Sequence, residues 1–300
     1  MFVGKKGKRQ KGLDAVMPEL PEVETVARTL RPQVRECVLS GAEVLRASTL
    51  HPLSLPLAAL TGRRIADVGR RGKLLLLHLA PPDGAAESGP APDMLAVHLR
   101  MTGRLMTWPQ GTPPGPHTRC IFDLRAPDGD AHRLFFDDTR AFGLVLVATP
   151  EIRQAWDFWR ELGPEPLEIG ARAFAALLKD RGAALKAVLL DQKVIAGIGN
   201  IYADESLFQA GLDPRRKVDG LSPAQIRRLL AALQDVLRRS IAQCGSSIRD
   251  YRDANGDMGA FQNSFAVYGR GGAACVRCGR PLKKIRVAGR GTVFCPHCQK

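Results

Sequence analysis

The chain has 300 residues and a formal net charge of +14, with 44 lysine and arginine residues against 30 aspartate and glutamate residues. This length suits about two domains, and the positive excess favours a polyanionic partner, with DNA or RNA as the default. The longest apolar runs, near 74–79 and 187–190, fall far short of the ~18 residues that a membrane-spanning helix needs. We therefore expect no membrane association; charge alone leaves open a solvated basic surface without a partner.

Residues 1–16 are rich in lysine, arginine and glycine and lack the apolar core of a secretion signal. They carry five positive charges and one negative charge, so the rest of the chain keeps a net charge of +10. We expect this segment to be a disordered extension, or to precede a true start of translation at Met17. The alternatives are proteolytic removal and a DNA-attracting tail on an inactive chain.

The segment that begins Met17-Pro18-Glu19 holds the strongest catalytic candidates. If Met17 is the start and is trimmed, Pro18 gains a free secondary amine; α-amino groups titrate near pH ~8 and are partly neutral at physiological pH. Such an amine attacks an aldehyde-like carbon and forms an iminium, as a Schiff-base lysine does. Glu19 would place a carboxyl group in reach of the same carbon. In a chain that starts at Met1 the Pro18 nitrogen is an amide, and this chemistry is impossible.

The elements that follow change character along the chain. Pro21 and its acidic neighbours predict a short helix that Pro32 ends. Between 38 and 147, short apolar runs broken by Gly, Pro and Asp indicate β-strands, the clearest of them at 74–79, 95–99, 120–124, 134–136 and 144–147. Prolines in 149–168 indicate a linker, and the pattern beyond it is helical. There, Ser222-Pro223-Ala224-Gln225 predicts the capped start of a helix that Gly245 ends.

The segment 194–200, VIAGIGN, predicts a turn between two helices. Its two glycines would let the backbone approach a partner closely, and Asn200 can cap the following helix. Because backbone amides at a helix start form an anion site, we expect either phosphate binding or a plain helix-turn-helix corner. A dinucleotide site is disfavoured, since the third glycine and a preceding strand are missing.

Four of the seven cysteines form two Cys-x2-Cys pairs separated by sixteen residues, namely Cys275, Cys278, Cys295 and Cys298. This spacing predicts a four-thiolate site for one structural Zn²⁺, with His297 as a competing ligand and with disulfides or free thiols as alternatives. Residues 270–300 contain eight lysine or arginine residues and no acidic residue, so we expect them to contact phosphates. The three isolated cysteines suit a reducing compartment, and we expect a cytoplasmic protein.

These segments together resemble the bacterial formamidopyrimidine-DNA glycosylases, which excise oxidised purines such as 8-oxoguanine. The opening MPELPEVET from Met17 carries the strongest similarity, and matching segments follow at 72–73, 98–103, 138–143, 190–193, 200–203 and the four cysteines. The resemblance implies an α+β fold: an N-terminal β-sandwich domain with a flanking helix, a helix-two-turns-helix domain and a zinc β-hairpin. We accordingly expect a catalytic domain at 17–148, a linker at 149–168, the helical domain at 169–265 and the zinc finger at 266–300.

The resemblance also implies catalytic roles. Pro18 is the nucleophile and Glu19 the acid, while Lys73 and Arg290 assist the later elimination steps. From the residues alone, a lysine at a strand end would be simply solvated, and a Met or Phe on a strand-rich segment would belong to the core.

An enzyme that acts on a base in duplex DNA must extrude it, and apolar wedges with an arginine can fill the void. Met101, Arg140 and Phe142 match the family's void-filling residues, and further DNA contacts are expected at His117, Arg181, Lys186 and Asn200. Ala141 stands where the family commonly has a second arginine, so one positive side chain is absent. The polar segment 246–265 suits a loop that closes over the extruded base.

We therefore expect a monomeric glycosylase and AP lyase of base excision repair that binds duplex DNA with oxidised purines or abasic sites. Zinc is its one expected cofactor. The nearest competing hypothesis is an endonuclease VIII-like enzyme that prefers oxidised pyrimidines. Two more distant hypotheses are a non-catalytic binder of damaged DNA, which an intact extension predicts, and a zinc-ribbon RNA-binding protein.

Overall fold

The computed structural model describes residues 17–81, 91–248 and 251–300. The predicted extension 1–16 therefore lies outside the described residues, as do residues 82–90 and two residues, 249 and 250, of the predicted closing loop 246–265. In chain order the first elements are α1 (Leu20–Val34), β1 (Val38–Val44), β2 (Arg64–Arg71), β3 (Leu74–Ala80), β4 (Met94–His98), β5 (Gly103–Pro109), β6 (Thr118–Arg125), β7 (Ala131–Asp138) and β8 (Leu144–Ala148). They are followed by α2 (Pro150–Ala155), α3 (Asp157–Glu161), α4 (Ala171–Leu178), α5 (Leu185–Leu190), α6 (Asn200–Ala210), α7 (Pro223–Ala242), β9 (Lys283–Val287) and β10 (Arg290–Phe294).

The N-terminal domain is built on one antiparallel sheet with the strand order β5-β7-β6-β1-β2-β3-β4-β8. Its two halves meet at β1 and β2, which share a single pair, Val38 with Arg64. One core cluster contains buried residues of both halves, for example Phe122 and Leu134 with Leu75 and Val97. The sheet therefore folds over at β1–β2 into the expected β-sandwich, and the five clearest predicted strands are confirmed.

Helix α1 connects the two domains. Val23, Val26 and Leu30 pack into the sandwich core, whereas Leu20 at the helix start belongs to the core of the helical domain. The expectation that Pro32 ends this helix was wrong by one half-turn, since α1 continues to Val34. A proline in the last turn removes only one backbone hydrogen bond, and the next amides still find carbonyl partners.

The linker at 149–168 is a packed element rather than an open connection. It contains α2 and α3, and between them the buried Trp156 covers the outer face of the sheet at Leu76, Met94 and Leu146. Covering this face removes apolar surface from water and holds the start of the helical domain against the sandwich.

Helices α4 to α7 share one core, and α7 begins at the predicted capping box of Ser222 and Gln225. The β9–β10 hairpin packs on α6 through Phe208, Leu282 and Val293. No helix among the described residues is long and apolar enough to cross a bilayer.

Candidate active site and DNA interface

A cavity of about 290 Å³ lies where the sandwich, the α5–α6 turn and the β9–β10 hairpin meet. Its lining includes Met17, Glu19, Lys73, Met101, Asn200 and Arg290. Three of the four predicted catalytic residues thus face one space although they are distant in sequence. Pro18, the fourth, is buried and follows Met17 in the chain.

The carboxylate of Glu19 is bound by the start of α6. It accepts hydrogen bonds from the backbone amides of Gly199 at 2.7 Å, Ile201 at 3.0 Å and Tyr202 at 3.4 Å. Burial raises the pKa of Glu19 to about 7, although the nearby Lys73 ammonium and the amides lower it. A carboxyl group with this pKa is partly protonated near neutral pH, as a general acid needs to be.

The two glycines of the VIAGIGN turn make this contact sterically feasible. A Cβ atom on Gly199 would lie 2.3 Å from Glu19 Cδ, and one on Gly197 would lie 2.7 Å from Leu20 Cβ. Gly197 also has φ +83°, a conformation that side-chain-bearing residues rarely adopt. The close approach predicted for this turn is therefore to the chain's own N-terminal segment. In this structure the amides of the turn bind Glu19, whereas phosphate binding was one of the two roles expected for the turn.

Lys73 is a buried lysine rather than a solvated strand end. Lys73 lies in the turn just before β3, and its Nζ donates to the carbonyl of Ile198 at 3.0 Å. Burial lowers the pKa of Lys73, against the opposing effect of the Glu19 charge. A lysine with a lowered pKa exchanges protons more readily near neutral pH, which suits a role in elimination.

Lys186 and Asn200 hold the hairpin that carries Arg290. Lys186 Nζ forms a 2.6 Å ion pair with Asp204 in which both side chains are at most 1% exposed, and it donates to Thr292 Oγ1 at 2.8 Å. Asn200 Nδ2 donates to the carbonyl of Gly291 at 3.0 Å. Lys186 thus uses its donors inside the protein, and its predicted phosphate contact stays a prediction. Arg290 is exposed at the start of β10 and faces the cavity.

The three predicted void-filling residues lie on two neighbouring turns. Met101 is in the β4–β5 turn, whereas Arg140 and Phe142 are in the β7–β8 turn. Phe142 is 55% exposed, and the guanidinium of Arg140 lies over its ring at 4.9 Å. A phenylalanine that is more than half exposed at a turn tip is not part of the core, so the core interpretation of Phe142 was wrong.

The two remaining predicted DNA contacts lie at the surface. His117 is exposed in the turn before β6, where its carbonyl accepts from the Asp138 amide at 2.9 Å. Arg181 is exposed between α4 and α5, and its Nε donates to the carbonyl of Leu177 at 2.7 Å. Arg181 does not line the catalytic cavity.

Aromatic residues anchor the described part of the segment 246–265 to the rest of the protein. Tyr251 donates to the carbonyl of Glu22 at 3.2 Å, and the buried Phe261 stacks on Tyr202 with 5.9 Å between ring centres. Phe265 packs edge-on against Phe261 at 5.7 Å. Closure of this loop over a base stays a prediction.

The four paired cysteines fit a zinc ion. Their Sγ atoms all lie within 4.8 Å of one another. Zn–S bonds of about 2.3 Å in a tetrahedron place sulfurs about 3.8 Å apart. The Cys275–Cys298 and Cys278–Cys295 pairs are separated by 3.9 and 3.6 Å. His297 is not part of this group and lies 2.8 Å from Arg280 Nη1 instead.

Sequence analysis did not predict the roles of two buried carboxylates, Glu22 and Glu205. Glu22 accepts from the amides of Glu19 and Ser246 at 2.9 and 2.7 Å, and so links the start of α1 to the segment 246–265. Glu205 accepts from three consecutive amides that lead into the zinc finger, those of 266, 267 and 268. The available signal was the acidic pair Asp204-Glu205 inside an otherwise uncharged helix, because carboxylates that are buried require hydrogen-bond or ion-pair partners.

Comparison with known proteins agrees with this geometry. The family model "Formamidopyrimidine-DNA glycosylase N-terminal domain" matches residues 17–145, the "Formamidopyrimidine-DNA glycosylase H2TH domain" matches 162–252, and the "Zinc finger found in FPG and IleRS" matches 272–300. The formamidopyrimidine-DNA glycosylase of Nitratidesulfovibrio vulgaris is 45% identical over 95% of this chain and 100% of its own length. That of Carboxydothermus hydrogenoformans is 43% identical with the same coverage.

Solved structures with the same fold include the MutM (Fpg) protein of Thermus thermophilus, with a TM-score of 0.79 and 41% identity over 94% of this chain and 98% of that one. The Lactococcus lactis Fpg in complex with abasic-site DNA has a TM-score of 0.80 and 33% identity over 94% of this chain and 99% of that one. A β-sandwich, a helix-two-turns-helix domain and a zinc finger around one cavity with a buried glutamate define a DNA glycosylase. The chain belongs to the formamidopyrimidine-DNA glycosylase family.

Proposed function

We propose that this enzyme excises oxidised purines from duplex DNA and then cleaves the strand by β- and δ-elimination, with Pro18 as the nucleophile. The observation that carries the proposal is the shared cavity of Glu19, Lys73 and Arg290, which Met17 also lines. Removal of Met17 would open the Pro18 nitrogen to this cavity as a free secondary amine. The proposal therefore requires a chain that begins at Pro18, because an acylated proline nitrogen has no lone pair to donate.

The first step replaces the base. The Pro18 nitrogen forms a bond to C1′ of the nucleotide while the bond from C1′ to the base breaks. Glu19 gives its proton to the ring oxygen O4′ as the C1′–O4′ bond opens, which leaves an iminium between Pro18 and C1′. The raised pKa of Glu19 supports this role, since the group must be protonated when substrate is bound.

The iminium then acts as an electron sink. It acidifies the C2′ proton, so that loss of this proton expels the 3′-phosphate, and a second elimination expels the 5′-phosphate. We assign proton transfer to Lys73, which is buried in the cavity wall, and phosphate contact to Arg290, which is exposed at the hairpin tip. One amine thereby accounts for both glycosylase and lyase activity.

DNA binding follows from the same arrangement. Met101 and Phe142 are placed to enter the duplex as apolar wedges, and Arg140 can bond to the base left without a partner. His117, Arg181, Lys186 and Asn200 remain candidate phosphate contacts. One structural zinc ion holds the Arg290 hairpin, and the enzyme acts as a cytoplasmic monomer.

The test is borohydride trapping on an 8-oxoguanine duplex, followed by mass mapping of the linked peptide. Reduction turns a transient iminium into a permanent bond, so it reports the nucleophile. The proposal expects a cross-link on Pro18 in a chain that begins there, and none in a chain that retains Met17. Faster release from a thymine-glycol duplex would favour the oxidised-pyrimidine hypothesis. Binding of damaged duplex without any cross-link, in both forms of the chain, would favour the non-catalytic binder.

A further inference from the structure

The two turns that carry the void-filling residues are fastened together by one buried carboxylate. Asp138, at the end of β7, is 1% exposed. Its Oδ2 accepts from the Gly143 amide at 2.6 Å, and its Oδ1 accepts from the Arg140 amide at 3.2 Å and from the hydroxyl of Thr102. Thr102 directly follows Met101, so the carboxylate spans the β4–β5 and β7–β8 turns.

Thr102 adds a second connection between the turns. Its Oγ1 accepts from the Arg140 amide at 3.1 Å while the same hydroxyl donates to Asp138. The backbone of Asp138 extends the contact to a third segment, because its amide donates to the carbonyl of His117 at 2.9 Å. Its carbonyl also accepts from Arg119 Nε at 2.9 Å. Each of the four predicted DNA-contacting residues of the sandwich domain therefore either makes one of these hydrogen bonds or is next in sequence to a residue that does.

Both turns need such support. Arg100 and Ala141 have φ values of +51° and +54°, a conformation that costs free energy in residues with a side chain. Gly143 cannot be replaced without a clash, since a Cβ atom there would lie 2.4 Å from Phe136 Cζ. Hydrogen bonds to a buried carboxylate are strong enough to hold backbone in this conformation.

We propose that Asp138 and Thr102 are positioning residues that hold Met101, Arg140 and Phe142 as one rigid unit, so that the three side chains enter the DNA together. Neither residue contacts the reacting atoms. Rigid alignment matters because the wedges must fill the void as the base leaves the stack. This inference rests on the proposed function, since it concerns the extrusion step of that reaction.

The test compares Asp138→Asn and Thr102→Val with two matched controls in the processed enzyme. Asp137→Asn removes a carboxylate from the neighbouring position, where it accepts from Thr118 Oγ1 at 2.6 Å outside the cluster. Thr102→Ser keeps the hydroxyl. We expect both test variants to slow 8-oxoguanine excision by at least about tenfold, because a charge-assisted hydrogen bond is lost. Cleavage of a preformed abasic site, which needs no extrusion, should change by less than about twofold, and both controls should match the wild type.

A second readout does not depend on catalysis. It is the fluorescence of a duplex that carries 2-aminopurine opposite a tetrahydrofuran abasic analogue. Insertion of the wedges should raise this fluorescence with the wild type and both controls but not with Asp138→Asn or Thr102→Val. Equal slowing on both substrates, or a wild-type rise in fluorescence in the two test variants, would overturn the inference. If the wild type releases no oxidised purine, the proposed function fails, and the fluorescence measurement still decides the role of Asp138.

Discussion

The carboxylate of Glu19 accepts a 2.7 Å hydrogen bond from the amide of Gly199, which joins the N-terminal segment to the start of α6. Helix starts bind anions because their first amides lack backbone partners. In this protein the anion is the proposed general acid itself, which the helical domain holds against the sandwich domain. The catalytic geometry therefore depends on how the two domains pack.

Replacement of Gly199 tests this dependence. In Gly199→Ala the new Cβ atom would meet Glu19 Cδ at 2.3 Å and displace the carboxylate. We expect excision to fall by about 100-fold, the scale of a misplaced catalytic group, while the fold is retained. Single-turnover kinetics would measure the excision rate, and circular dichroism would measure whether the fold is retained. Gly220→Ala is the control, because a Cβ atom there meets no atom within 4 Å; equal losses in the two variants would contradict the interpretation.

The pH dependence should separate the two activities. Burial raises the pKa of Glu19 to about 7, and excision needs its protonated form. Both activities need the neutral Pro18 amine, so the ratio of the excision rate to the rate of borohydride-trappable iminium formation on a preformed abasic site, a step before Lys73 acts, isolates Glu19. We expect this ratio to be flat below pH 7 and to fall about tenfold per pH unit above it. A ratio that rises with pH, measured between about pH 5.5 and 9, would rule out Glu19 as the acid.

The buried Lys186–Asp204 pair should be costly to break. Burial lowers the pKa of Lys186 and raises that of Asp204 to about 6, while each opposite charge counters the shift of the other. Lys186→Ala leaves an unpaired buried carboxylate, so we expect urea unfolding to show a loss of about 3–5 kcal/mol. In the control Lys193→Ala, which breaks an exposed pair with Glu161, stability should not change measurably. A stable Lys186→Ala protein would show that the pair is dispensable.

Removal of zinc should weaken DNA binding by the β9–β10 hairpin. We expect one zinc ion per chain by elemental analysis, and loss of that ion in Cys278→Ser. Because the metal closes the element that carries Arg290, chelation should abolish tight binding to abasic-site DNA. Cys244→Ser, which changes an exposed cysteine outside the cluster, should retain both metal and binding. Tight binding by a zinc-free protein would contradict this assignment.

Ala141 offers a gain-of-affinity test. The position follows Arg140 in the β7–β8 turn, where the family resemblance implied a second arginine. We expect Ala141→Arg to bind abasic-site duplex more tightly and to steepen the slope of log K against log salt by about one. Ala141→Gln controls for side-chain size without charge. Equal slopes for the two variants would show that this position does not face a phosphate.

Local patterns in the sequence were enough to predict much of the fold of this protein and its metal site. Zinc ligands lie in short turns, so the spacing of Cys275, Cys278, Cys295 and Cys298 predicts their cluster directly. The strand pattern and the capping box at Ser222 are likewise decided by neighbours a few residues apart. The family resemblance rested on such segments, and the comparisons confirm it.

Only the tertiary structure decided how buried charges are paired. Glu19 accepts from amides about 180 residues away, Lys186 pairs with Asp204, and Asp138 joins two turns through Thr102, which is 36 residues away. A carboxylate or ammonium leaves water only where partners compensate its desolvation. Those partners come from other elements, so their identity depends on how sandwich, helices and hairpin pack together rather than on local spacing.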